Sequence, residues 1–97
     1  MLFAFLCTDK PGHLSTRMDN RPPPVEWLNG LNADGILKMA GPFLDADGKP
    51  CGSLVIVKAD SIEDATALAT QDPYAKAGLF EKVEIKPYNW VFNNPEA

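Results

Sequence analysis

The chain has 97 residues, 45 % of them hydrophobic, and carries 9 Lys and Arg against 13 Asp and Glu for a net charge of −4. That length suits one domain spanning residues 1–97, and a chain this short buries only roughly 60–65 % of its unfolded surface, so a staple or partner is expected. The acidic balance and the scattered basic residues argue against nucleic acid and anionic membrane as partners, and two cysteines are too few for a disulfide scaffold.

Cys7 and Cys51 have no metal-ligand spacing around them, and a reduced cytoplasmic setting is the simplest expectation. The N-terminal run Met1 to Cys7 is apolar, but no basic region precedes it and Asp9 and Lys10 follow closely. It is expected to be neither a signal peptide nor a membrane span. Phe3, Phe5 and Cys7 alternate with Leu2, Ala4 and Leu6, which predicts a strand over residues 1–8 buried on both faces. Asp9-Lys10-Pro11-Gly12 breaks it, and the polar stretch to Asn20 reads as a loop with room for a short helical turn. Pro22-Pro23-Pro24 suits a helix start, and Val25, Leu28 and Leu31 recur at helical spacing, which predicts a helix from about Pro23 to Ala33.

Ile36 to Ala40 is predicted as a second strand ending at Gly41-Pro42. Asp45-Ala46-Asp47-Gly48 resembles the opening of a calcium loop but lacks the later ligands and reads as a turn, with no metal expected. Ser53 to Lys58 is the third strand. Asp60 and Ser61, each followed three residues later by an acid, offer two capping boxes for a second helix, which Asp72-Pro73 ends. Pro73 to Leu79 has room for one more helical turn. Val83 to Tyr88 alternates as the fourth strand, with Trp90-Val91-Phe92 as a candidate edge segment.

Strand, helix, strand, strand, helix, strand predicts an α+β fold, a ferredoxin-like βαββαβ sandwich with an antiparallel sheet and two helices on one face. The first and third strands are apolar on both faces, so the second face needs a cover. A second copy packing sheet to sheet is the economical one, which predicts a homodimer.

The ordered set Cys7-Thr8-Asp9-Lys10-Pro11-Gly12, Arg21-Pro22, Trp27-Leu28 through Gly35, Ala40-Gly41-Pro42, Gly52-Ser53-Leu54, Gln71-Asp72-Pro73-Tyr74 through Leu79, and Val83 to Pro87 resembles the YciI-like family over nearly the whole length. The resemblance implies a dimeric α+β barrel and a cavity holding a His–Asp pair. Asp72 matches the family's aspartate. The family's histidine, counted from Arg21, falls on Pro24, so this chain departs from the pattern there.

In a split arrangement of this kind, Cys7, Asp9, His13, Arg21, Pro24, Cys51 and Asp72 can converge at one edge of the domain. Asp72 reads either as a cap on the turn at Pro73, as an ion-pair partner of Arg21, or as a general base. His13, the only histidine, is either a solvated loop residue or a proton carrier. Arg21 is a ligand anchor or a structural ion-pair residue, and Tyr74 lines a pocket or packs in the core. Cys7 and Cys51 read as small buried hydrophobes or as neighbouring thiols.

Two functions follow. One is a small-molecule-binding or accessory protein that kept the dimer and its pocket but lost the family's histidine at Pro24. The other, by family analogy, is a cofactor-free lyase, isomerase or dehydrochlorinase using Asp72, with His13 as proton carrier and Arg21 as anion anchor.

Overall fold

A computed structural model of the chain describes residues 1–96. The strands are β1 (Leu2–Asp9), β2 (Leu37–Leu44), β3 (Pro50–Lys58) and β4 (Phe80–Tyr88), joined by helices α1 (Leu14–Asp19), α2 (Pro22–Ala33), α3 (Ile62–Ala69) and α4 (Pro73–Lys76). They form one four-stranded sheet in the order β2-β3-β1-β4, and every neighbouring pair is antiparallel. β1 and β2 therefore run parallel with β3 between them, the split crossover of a ferredoxin-like α+β fold.

The interior forms where the helices meet one face of the sheet. Phe3, Phe5 and Cys7 of β1, Val55 and Val57 of β3 and Ala65 of α3 make the buried cluster, with Leu28 of α2 and Leu68 of α3 packed against it. The residues that alternate with these, Ala4 and Ile56, point to the opposite face and are also buried. The two apolar faces read from β1 and β3 are thus real.

Local chemistry sets the helix limits. Pro22 opens α2 at its first helical position, where its missing N–H costs nothing. Of the two capping choices for α3, Ser61 is the one used, its Oγ accepting the Asp64 N–H at 3.1 Å. The two expected helices are accompanied by two short ones, α1 and α4, in the two stretches that had room for a helical turn.

β2 does not end at Gly41-Pro42 but continues to Leu44. It is an edge strand with one neighbour, and such a strand accepts a proline whose nitrogen faces away from the ladder. β3 begins earlier than expected, at Pro50, and β4 at Phe80. Trp90-Val91-Phe92 form no strand. Instead, Lys38 on β2 pairs with Glu96 at 2.6 Å, so the segment after β4 crosses from one edge of the sheet to the other. Among the described residues no helix is long and apolar enough to cross a membrane.

Candidate functional site

β1 turns polar at its last residue, Asp9, and α1 follows closely enough to return Arg17 to it. Nε and Nη2 of Arg17 donate to the two Asp9 carboxylate oxygens at 2.7 and 2.8 Å, and Nη2 also donates to Ser53 Oγ at 2.9 Å. Both side chains of the ion pair are 7 % exposed. Burial disfavours the guanidinium charge, but the hydrogen bonds and charge of Asp9 outweigh it and hold the Arg17 pKa above its ordinary value. The Tyr74 ring closes over the guanidinium, with Cζ 4.7 Å from the ring centroid.

Asp72 stands beside this group. It is the N-cap of α4, and its Oδ1 accepts the Tyr74 backbone N–H at 2.9 Å. No hydrogen bond engages Oδ2 among the described residues. The residue is 7 % exposed. Burial raises its pKa above the ordinary carboxylate value, while the Tyr74 hydrogen bond and the Arg17 charge oppose the rise. A carboxyl held this way exchanges a proton closer to neutrality than a solvated one.

These groups border a cavity of about 230 Å³ between the helices and the sheet. Arg17, Ser53, Asp72 and Tyr74 form its polar end, and Arg21 also lines it. Pro24, Val25 and Leu28 of α2 with Val55 of β3 supply apolar wall. Pro24 is fully buried, so an apolar ring stands where the resemblance placed an imidazole.

The structure brings Asp72, Arg21 and Tyr74 to one cavity. It places His13 elsewhere, in a neighbouring cleft lined also by Lys10, Lys49 and Cys51. His13 Nδ1–H donates to the Pro11 carbonyl oxygen at 2.9 Å, which leaves Nε2 as the unprotonated nitrogen of the neutral ring. The ion pair weighed between Asp72 and Arg21 is absent among the described residues; Arg17 is the arginine whose charge reaches Asp72.

Cys7 faces Ser53 across the ladder, and Cys51 lies two residues before Ser53 on β3. Burial and the Asp72 charge push the Cys7 thiol up to about 12, so it remains protonated at neutral pH. Asp45 Oδ1 accepts the N–H groups of Asp47 and Lys49, as a turn requires, and no cluster suited to a metal occurs among the described residues.

Arg17 and Ser53 are the site residues that sequence reasoning missed. Ser53 was visible as the one hydroxyl within an apolar strand. Arg17 sits in a segment without apolar periodicity, and only the return of α1 onto β1 distinguishes it.

Comparison with known proteins places the chain in a family. Residues 1–89 match the model of the YCII-related domain. The chain is 37 % identical to protein YciI of Escherichia coli over 98 residues, covering 95 % of this chain and all of the relative. It is 32 % identical to an uncharacterized protein of Haemophilus influenzae, with the same coverage. A solved structure of a 5-chloro-2-hydroxyhydroquinone dehydrochlorinase from Burkholderia phenoliruptrix, in complex with 2,5-dihydroxybenzoquinone, superposes with a TM-score of 0.86 at 31 % identity, covering 97 % of this chain and 99 % of the other. A NIPSNAP family protein from Agrobacterium tumefaciens, at TM-score 0.55 and 14 % identity over 97 % of this chain and 95 % of its own, shares the fold alone. The match along nearly all of the chain makes this protein a member of the YCII-related family.

Proposed function

We infer that this chain binds a small oxygen-bearing ring compound in the cavity between α2, β3 and α4, with Asp72 as its principal polar contact, Tyr74 against the ring and Arg21 at the rim. The observation that carries the reading is the buried Asp72 carboxyl, with Oδ2 unengaged among the described residues, in an otherwise largely apolar cavity. Its volume of about 230 Å³ suits a single substituted ring. An apolar cavity of about 150 Å³ already holds benzene, whereas sites for larger ligands start near 300 Å³. The likeness to a dehydrochlorinase solved with 2,5-dihydroxybenzoquinone supports the same ligand class.

A second reading is favoured by the raised Asp72 pKa. A carboxyl with a raised pKa is a stronger base than a solvated one and can take a proton from a bound ring, the role expected in a cofactor-free lyase or dehydrochlorinase. With Pro24 in the cavity wall and His13 in the neighbouring cleft, Asp72 would work without an imidazole. The binding reading is therefore preferred.

A homodimer packed through the face opposite the helices belongs to the same proposal. Directly opposed residues share a face. Met39 and Phe43 of β2 lie opposite Ile56 and Gly52, on the side away from the helices, and remain exposed in the single chain.

Calorimetric titration with 2,5-dihydroxybenzoquinone, alongside a chloride-release assay on 5-chloro-2-hydroxyhydroquinone, separates the readings. Binding that weakens in Asp72→Asn without chloride release supports the binding protein. Chloride release that Asp72→Asn abolishes supports the enzyme, and absence of both overturns the assignment of the cavity.

A further inference from the structure

We propose that the ring bound in this cavity carries an apolar arm on the side away from its oxygens, and that the arm leaves through an opening between α2 and the edge strand β2. The inference rests on the ring-binding reading and narrows it to one ligand class: phenols, catechols and related rings whose alkyl substituent stands across the ring from an oxygen.

The cavity wall divides by exposure. Asp72, Pro24 and Val55 line it and are buried, which marks its inner end. Val25 and Met18 also line it yet are 43 % and 50 % exposed, and Ala40 and Pro42 line it from an exposed stretch of β2. Residues that border a cavity and still meet water mark its mouth. Register fixes the side on which the β2 pair lies. Ala40 is opposite Val55 and Pro42 opposite Ser53, and directly opposed residues share a face. Both therefore lie on the helix side of the sheet, where Val55 belongs to the core. Met39 and Phe43, opposite Ile56 and Gly52, lie on the other face, so the proposed dimer contact and the mouth use opposite sides of one strand. No strand lies beyond β2, and the mouth opens over that free edge.

The two ends differ in chemistry. The inner end holds the Asp72 carboxyl, whose Oδ2 is unengaged among the described residues. The mouth has Val25, Met18, Ala40 and Pro42, with Arg21 as its charged neighbour. Pro42 has no N–H to offer a group passing over it. A ring entering with its oxygens inward meets the carboxyl; the reverse pose sets carbon against the carboxyl and leaves the ring oxygens beside apolar wall, with hydrogen bonds unmade at both ends. The volume leaves room for more than the ring. At about 230 Å³ the cavity is about half as large again as the ~150 Å³ apolar cavity that takes benzene. A polar arm at the mouth loses water without regaining hydrogen bonds, whereas an alkyl arm gains by leaving water. Met18, unbranched and adaptable, suits an arm without a fixed shape.

Calorimetry with catechol, 4-propylcatechol and 3-propylcatechol tests the arm. The two propyl isomers are equally apolar, but the 3-isomer carries its chain beside the oxygens, toward the buried end. The expected result on wild type is a gain of about 10- to 60-fold for 4-propylcatechol over catechol, from roughly twofold to fourfold per buried carbon, with little or none for the 3-isomer. Ala40→Phe narrows the mouth and is expected to cut the affinity ratio of 4-propylcatechol to catechol to about threefold or less. Should that variant not fold, Val25→Asp, a charge at an exposed helix position beside the arm, carries the same ratio. Equal gains from the two isomers, no gain from either, or a ratio that neither variant lowers overturns the arm. If bare rings bind and the arm adds nothing, this inference alone fails. If neither the catechols nor 2,5-dihydroxybenzoquinone binds, the ring-binding reading fails and this inference with it.

Discussion

Asp72 shows how one residue serves two roles. Its Oδ1 caps α4, and its burial raises its pKa. The unfolded chain titrates this carboxyl near 3.8, and the folded chain titrates it higher. Between those values the native state holds more protons than the unfolded one, so this residue's contribution to stability falls as pH rises through the window. Asp72→Asn retains an oxygen to cap Tyr74 but cannot ionise. Urea unfolding from pH 4 to 7.5 is expected to show the variant gaining on wild type toward neutral pH; parallel curves would contradict the raised pKa. The thiols differ for a related reason. Cys7 is buried and pushed up to about 12, whereas Cys51 is half-buried, its Sγ–H directed at the Phe43 carbonyl oxygen at 3.6 Å. A thiol reagent at pH 8 is expected to modify one cysteine in the native protein and two after denaturation, since the thiolate is the reacting form.

At the level of elements, α1 cannot stand alone. Six residues are far too few for an isolated helix, and among the described residues its first turn has neither an acidic residue nor a side-chain cap. The Asp9–Arg17–Ser53 contacts tie it to β1 and β3. Removing one partner of a buried pair leaves an uncompensated charge at a cost of about 3–5 kcal/mol, while removing both costs much less. Thermal unfolding is expected to rank Asp9→Ala well below Asp9→Ala combined with Arg17→Met. Additive losses in that cycle would mean that the pair is solvated rather than buried. Gly52, on β3, shows how tightly the central strands meet at this end. A Cβ built on it would stand 2.4 Å from the Cys7 carbonyl oxygen, a distance no backbone atom tolerates.

Across the whole molecule, the two sheet faces are treated unequally. Helices cover one. On the other, Ala4 and Ile56 are buried within the central strands. Met39 and Phe43 on that face stay about 40 % exposed, and Leu44 beside them is 60 % exposed. A second copy stacked there would bury them, and exclusion of such a surface from water is the main driving force for association. Sedimentation at micromolar concentration is expected to give twice the chain mass for wild type and to shift toward the monomer for Met39→Asp combined with Phe43→Asp. A wild-type monomer would remove the dimer from the proposal.

What the sequence determined by itself was whatever depends on near neighbours in the chain. Alternation in Leu2 to Cys7, helical spacing behind Pro22-Pro23-Pro24, the Ser61 cap and the Asp72-Pro73 stop are written in short windows, so element order and the ferredoxin-like topology were legible, as was Asp72 in its capping position. Strand ends were less so, because whether Pro42 ends β2 depends on that strand lying at an edge. Only the tertiary structure decided the membership of the site. Arg17 and Ser53 are 36 residues apart and meet because β3 lies against β1, where α1 folds back onto it. His13 and Arg21, equally suggestive as residue types, ended in a separate cleft and on an exposed rim. Residue chemistry is local, but burial and hydrogen-bond partners depend on packing among distant segments, and these are what make Asp72 and Arg17 the polar centre of the cavity.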